Sequence, residues 1–191
     1  MKTNDFNTLI DTMLARIQVD VAQALDRNFE NQSFFGRAWQ RRRSPLRQGR
    51  PTLIDTGSLR RSIKARRDTS QSITFSTSHP AAEIHNTGGQ IRVTARMKRY
   101  FWHCYYACSD AFGRRKDGSL RRDKRTVRLT TEAEFWRAMA LMKVGSTITI
   151  PQRQFIGISP EVEDIARRIV ENTLERLGEK VADNLNDNLK D

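Results

Sequence analysis

The sequence predicts an α+β fold in which a small antiparallel sheet packs against a long N-terminal helix and a long C-terminal helix. Apolar residues recur at steps of three and four at both ends of the chain, as in amphipathic helices. Short segments in the middle alternate polar and apolar residues, as half-buried strands do. We therefore expect one domain over residues 1–191, with a helical and loop insertion at about residues 95–146.

The first predicted element is a helix over residues 5–30. Its apolar stripe consists of Phe6, Ile10, Met13, Leu14, Ile17, Val21, Leu25 and Phe29. Residues 31–52 then mix aromatic side chains with arginines, and Pro45 and Pro51 exclude regular structure. Such a segment could stack on single-stranded nucleic acid, or it could be a loop that folds only against a partner. The prolines favour the loop, because they interrupt the spaced aromatic platform that stacking needs.

The next elements are short. Residues 55–57 are predicted to begin a helix with Asp55 or Thr56 as its N-cap, and Leu59 and Ile63 are expected to face the core. Residues 64–77 are predicted to form a hairpin with its turn at residues 68–71. One or two helical turns over residues 81–86 precede a glycine pair, whose freedom to adopt positive φ leads into a strand at residues 91–93.

The expected insertion contains two helices joined by a basic segment. Its first helix is rich in aromatic residues, namely Tyr100, Phe101, Trp102, Tyr105 and Tyr106. Residues 113–125 are basic and punctuated by glycine, which predicts a mobile loop or arm. The second helix is predicted over residues 131–143. Cys104 and Cys108, with His103 directly before Cys104, are a poor zinc pattern, so we interpret them as reduced thiols and expect no metal or other cofactor.

The C-terminal part contains a strand and a long helix. Residues 147–150 alternate and should end at Pro151, and Ser159-Pro160 is a typical helix start with serine as the N-cap. Gly178 could bend or interrupt this helix. Its apolar positions are Ile165, Ile169, Leu174, Leu177, Val181, Leu185 and Leu189.

The positive charge is concentrated in the middle of the chain. The protein has a formal net charge of +12, and residues 36–153 hold 26 of its 34 Lys and Arg but only 8 of its 22 Asp and Glu. A basic face suits either DNA phosphates or an acidic protein ring. The candidate contact residues are Arg41, Arg42, Arg43, Arg114, Arg115, Lys116, Arg121, Arg122, Lys124 and Arg125. We expect no membrane partner, because the sequence has neither a long apolar run nor an N-terminal signal core.

Three segments, at residues 53–63, 82–89 and 150–159, resemble in their order the phage virion morphogenesis family, the tail-completion proteins of Mu-like and P2-like phages. The resemblance is carried by Asp55, Thr56, Gly57, Leu59, Ser62, Ile63, His85, Asn86, Gly88, Gly89, Ile150, Pro151, Arg153, Phe155, Ile156 and Gly157. Gln154 stands where the family pattern usually has proline, which should loosen that turn slightly. Segments 97–102 and 143–146 resemble those of longer members from prophages of Bacteroides-type hosts.

The resemblance implies a structural α+β protein, with no known catalytic residues, that completes the tail or neck so that heads and tails join. Its expected partners are a tail terminator, a tail tube or a head–tail connector. A ring homo-oligomer in the virion is also expected, and contact with phage DNA is left open. The protein would occupy the host cytoplasm during assembly and then the neck or tail of the virion.

Two other functions compete with this one. The basic middle suits a DNA-binding protein that contacts phosphates non-specifically. His85 beside Asn86 could suggest a nuclease of the HNH type, but such an enzyme needs more metal ligands at close range than this chain offers. We therefore interpret His85 as a residue that caps or hydrogen-bonds the turn into Gly88 and Gly89.

Overall fold

The computed structural model describes residues 3–47, 49–69 and 71–188. Ser70 of the predicted turn and Leu189 of the predicted C-terminal stripe lie outside these residues. The elements in chain order are α1 (Thr3–Asn31), β1 (Ser33–Phe34), β2 (Arg37–Ala38), α2 (Ser58–Ser62), β3 (Lys64–Thr69), β4 (Ser72–Ser76), α3 (Ala82–Thr87), β5 (Gly89–Arg92), α4 (Ala95–Asp110), α5 (Lys124–Leu141), β6 (Thr147–Ile150) and α6 (Pro160–Asn188). The predicted α+β class, with a long helix at each end, is confirmed.

The two long helices pack against each other. The α1 stripe is most deeply buried at its C-terminal end, where Val21, Leu25 and Phe29 are at most 2% exposed, whereas Phe6 at the other end is 51% exposed. Helix α6 begins as predicted, because Ser159 Oγ accepts a hydrogen bond from the Val162 backbone amide at 3.3 Å. It continues through Gly178 without interruption.

The strands in the described ranges form three separate two-stranded antiparallel sheets rather than one small sheet. The predicted hairpin is present as β3 and β4, with an irregularity between Arg67 and Thr69. Strands β5 and β6 pair in the register Gly89 with Ile150 through Arg92 with Thr147. This pairing places residues 82–89 beside residues 150–157, although the whole of the expected insertion separates them in the sequence.

The expected insertion is a helical hairpin in which α4 packs on α5. Phe101 and Trp136 stack with ring centroids 5.8 Å apart. Helix α5 begins at Lys124 rather than at residue 131, because Asp123 caps it by accepting a hydrogen bond from the Thr126 backbone amide. The basic segment is therefore shorter than predicted, and its last two cations, Lys124 and Arg125, lie in the first turn of a helix.

Two predictions about the first half of the chain are wrong. The residue at the N-cap position of α2 is Gly57, and neither Asp55 nor Thr56 caps the helix. Instead, Thr56 Oγ1 accepts from the Ser58 amide two residues later, while Asp55 pairs with arginines. The second concerns residues 31–52, for which the sequence favours an irregular loop that folds only against a partner: the segment contains β1 and β2, and Phe34 and Trp39 are buried in the core of this chain. The same burial leaves these two rings unavailable for the alternative, stacking on nucleic acid.

Candidate functional site

The three sequence motifs meet in one hydrophobic cluster. Leu59 from the first motif, Ala82 from the second and Phe155 from the third pack together with Phe29 of α1 and Trp39. Ile63, in the residue after α2, packs against the same cluster. Phe155 and Phe29 are fully buried, with ring centroids 5.6 Å apart. The motifs therefore build one packed structure, which we call the motif junction: residues 53–63, 82–89 and 150–157 with the side chains of Phe29 and Trp39.

Asn86 holds the second and third motifs together. Its Oδ1 accepts hydrogen bonds from the backbone amides of Phe155, at 2.9 Å, and Ile156, at 3.1 Å. Two backbone carbonyls nearby are also satisfied: Arg153 N donates to His85 O at 2.7 Å, and Gln152 Nε2 donates to Asn86 O at 3.1 Å. These bonds satisfy backbone groups of a segment without regular structure, which would otherwise be unpaired beside the core.

Gly88 lies where the backbone of the second motif passes closest to the third. Its φ is +73°, and a Cβ at this position would lie 2.8 Å from the backbone nitrogen of Gln152. Any other residue would have to adopt a left-handed conformation and push that nitrogen away. The glycine is therefore required by the close approach of these two segments as well as by the turn.

The imidazole of His85 does not have the predicted capping role. Its Nδ1 is buried and has no hydrogen-bond partner in the part of the chain that the structure describes. Burial, followed by the charges of Arg153 and His79, lowers the pKa of His85 below its ordinary value of 6.5. The neighbouring Asn86 side chain does accept hydrogen bonds, but from the amides of Phe155 and Ile156 rather than from the turn at Gly88 and Gly89.

A pocket of about 440 Å³ opens beside the motif junction. Its polar lining includes Arg42, Arg47, Arg153, His79 and His85, and Leu46, Leu53 and Leu59 contribute apolar walls. Arg153 is only 7% exposed, and its Nε donates to Gln40 O at 2.8 Å. Burial, and to a smaller extent the nearby charge of Arg42, lowers the pKa of the Arg153 guanidinium.

Asp55 is the one carboxylate among the described residues that line this pocket, and it is already paired. Arg47 forms an ion pair with it, and Arg50 donates to it at 2.9 Å. Asp55 is therefore unavailable to neutralise Arg153.

Of the remaining motif residues, Pro151 follows β6, and Gly157 adopts a φ of +144° against the Gln154 side chain.

The candidate basic residues fall into two separate groups. Arg41 and Arg43 are exposed, whereas Arg42 is half-buried and donates to Leu46 O and Pro51 O. Residues 113–121 form a closed turn, in which Arg115 N donates to Ser119 O and Arg121 N donates to Gly113 O, both at 2.8 Å. The exposed cations on and directly after this turn are Arg114, Arg115, Lys116, Arg121, Arg122, Lys124 and Arg125.

Trp39 is the site residue that the sequence interpretation missed. Its indole Nε1 donates to the backbone oxygen of Gln154 at 2.6 Å, and its ring meets Phe29 edge-on at 5.3 Å. A tryptophan in a proline-interrupted, arginine-rich segment resembles a surface residue in sequence. The available signal was its size, because a side chain with this much apolar area is usually buried when a core lies within reach.

The described residues contain neither a metal site nor a membrane-spanning helix. No group of three or more His, Cys, Asp or Glu in residues 3–47, 49–69 and 71–188 is arranged to hold a metal ion, and Cys104 and Cys108 are free thiols. Within the same residues, every helix is too short or too polar to span a bilayer.

The comparisons with known proteins give one match. The model of the phage virion morphogenesis family matches residues 6–175, which include all three motifs, both helices of the hairpin and most of the two long helices. No curated protein and no solved structure gives a significant match. Because the family match covers most of the chain, the protein belongs to the phage virion morphogenesis family.

Proposed function

We propose that this protein is a structural, non-enzymatic component that completes the phage tail or neck, so that heads and tails join. The observation that carries the proposal is the family match over residues 6–175. The motif residues support it, because the side chains of Leu59, Asn86 and Phe155 are used for packing and for backbone hydrogen bonds. These contacts use the motif side chains to build the fold, as expected of a protein whose role is structural.

The expected partners are other virion proteins, namely a tail terminator, a tail tube or a head–tail connector. We further propose that the protein is a monomer or small oligomer when purified, and that it forms a ring only on the tail or neck. Its net charge of +12 opposes clustering of free copies. An acidic partner surface would offset that repulsion.

Deletion of the gene from the prophage tests the joining role. Electron microscopy of an induced culture should show filled heads beside unjoined tails, or tails of faulty length or closure. A plasmid copy of the gene should restore joining. Infectious particles at the normal titre from the deletion strain would exclude an essential completion role, and absence of the protein from both virions and isolated tails would exclude a virion component.

A further inference from the structure

The pocket beside the motif junction contains positive charge that the described part of the chain leaves unneutralised. Arg153 is buried there, and the one hydrogen-bond acceptor that its side chain meets among the described residues is Gln40 O, which binds Nε. Its two terminal nitrogens are therefore free donors. Neither nitrogen is among the buried atoms that lack a partner, so both open onto the pocket, where an anionic ligand can accept hydrogen bonds from them.

A second group in the pocket points to the same kind of ligand. His85 Nδ1 is buried, and no described residue accepts or donates a hydrogen bond to it. Arg42 lies close enough to Arg153 to lower the pKa of its guanidinium, and among the described residues Arg42 donates hydrogen bonds to the backbone oxygens of Leu46 and Pro51 and to no carboxylate. Three guanidinium groups and two imidazoles therefore line one cavity, and the one carboxylate among its described lining residues, Asp55, is paired with Arg47 and Arg50.

The shape of the cavity favours a carboxylate on a peptide. A volume of about 440 Å³ holds a few side chains, and the leucine walls suit apolar neighbours of an acidic residue. The planar fork of Arg153 matches a carboxylate, which can accept two parallel hydrogen bonds. Duplex phosphates suit this site less well, because they belong to a stiff polymer whereas Arg153 is recessed. A second copy of this strongly basic chain also suits it less well.

We propose that this pocket binds an aspartate or glutamate side chain, flanked by apolar residues, from a different and acidic virion protein. The identity of the partner as a virion protein rests on the proposed function, whereas the binding of an acidic peptide does not. Arg153 would bind the carboxylate, Arg42 would neutralise it at the rim, and the leucines would pack against the adjacent side chains.

The test uses the full chain and two blocked peptides, one with a glutamate between leucines and one with glutamine in its place. Histidine signals in NMR report on His79 and His85, and titration gives the affinities. We expect the glutamate peptide to shift the His85 signal and to bind about tenfold more tightly than the glutamine peptide. Arg42→Gln should weaken binding of the glutamate peptide about tenfold, since it removes a charged partner.

The matched control is Arg43→Gln, which removes the same charge from an adjacent residue that does not line this pocket. It should leave the affinity nearly unchanged. Arg153→Lys keeps the positive charge but loses the planar guanidinium, so it should also weaken binding of the glutamate peptide. If Arg153→Lys folds poorly, the result for Arg42→Gln decides the test. Inorganic phosphate is titrated in the same way, to compare the affinity of the pocket for a phosphate with its affinity for the glutamate peptide.

Three outcomes would overturn the proposal. They are equal affinity for the two peptides, an unshifted His85 signal at millimolar glutamate peptide, and tighter binding of phosphate than of the glutamate peptide. A failure of the proposed joining role gives a different result from these three outcomes. Selective peptide binding combined with normal joining in the deletion strain would retain the carboxylate site and remove the joining role.

Discussion

Asn86 Oδ1 accepts a hydrogen bond from the Phe155 backbone amide at 2.9 Å, although the two residues are 69 positions apart in the sequence. The same oxygen accepts from the next amide, that of Ile156. One side chain therefore fixes the path of the segment that carries Phe155 into the core. Its removal should destabilise the packing of the whole motif junction.

We expect Asn86→Leu to lower the free energy of unfolding by about 3 kcal/mol, because two partly buried amides lose their acceptor. Urea denaturation followed by circular dichroism measures this loss. Asn86→Asp is the matched control, since it retains an oxygen at the same place and should cost clearly less. Equal losses in the two variants would show that the acceptor is not the stabilising group.

Gly88→Ala should lower the free energy of unfolding more than Gly36→Ala does. Both glycines have a left-handed φ, of +73° and +85°, but only at Gly88 would the added Cβ meet backbone, whereas at Gly36 it meets nothing within 4 Å. The left-handed conformation alone should cost about 1 kcal/mol. The clash at Gly88 should add about 1–3 kcal/mol. Thermal or urea unfolding gives both values, and similar losses would contradict the close approach.

The stability of the protein should fall as the pH is lowered below about 6.5. The folded-state pKa of His85 is depressed, so below 6.5 the unfolded chain binds a proton that the folded chain excludes. The stabilisation is therefore complete above pH 6.5 and is lost on acidification, with a slope of at most about 1.4 kcal/mol per pH unit. Urea midpoints of the wild type and His85→Gln at pH 7.5 and 5.5 measure this contribution. Identical pH dependence in the two proteins would refute it.

Arg60→Gln should cost about 1 kcal/mol, since Arg60 joins α2 to α1 by pairing with Asp26 and, at 2.8 Å, with Glu30. These groups are partly exposed, which keeps the value small. Arg61→Gln is the control, because this exposed neighbour makes no ion pair with any residue that the structure describes. It should change the free energy of unfolding by less than about 0.5 kcal/mol. A larger effect at Arg61 than at Arg60 would contradict the pairing.

Neutralising the seven cations between Arg114 and Arg125 should leave the fold nearly intact, because solvated charges contribute little to stability. The variant should nevertheless dock poorly during assembly, which phage titre and electron microscopy measure. A variant in which Arg176 and Lys180 of α6 are neutralised is the control for a general effect of losing positive charge. Binding of short duplex DNA at physiological salt distinguishes a DNA-contacting segment from a protein-docking one. If the wild type binds DNA only weakly and the variant still loses joining, the segment docks on a protein. Unchanged assembly would remove any role for the segment.

Local signals in the sequence were sufficient for most elements. The apolar periodicity predicted α1, the alternation at residues 72–76 predicted a strand, and Ser159-Pro160 located the start of α6, since each signal depends on neighbours in the chain. The start of α5 was missed because Asp123, its cap, stands within a run of cations. The burial of Trp39 was missed for a different reason. Its contacts are to Phe29 and Gln154, and long-range packing leaves no local pattern.

The candidate site was predictable as a set of residues but not as a geometry. The motif residues around Leu59, Asn86 and Phe155 were all named from the sequence. Which side chain makes which bond was not predicted, because the sequence analysis gave a hydrogen-bonding role to His85 and none to Asn86. The pocket also could not be predicted, because Arg42 and Arg153 come together only through the folded path of the chain.

The way the α4–α5 hairpin is attached has an evolutionary consequence. Val93 N donates to Ser146 O and Gly145 N donates to Val93 O, so the backbone leaves and re-enters the body of the protein at adjacent points. A module anchored in this way can be lengthened, shortened or exchanged by recombination without displacing the residues beneath it. Diversification between related phages would then concentrate in this appendage, while the motif junction changes slowly.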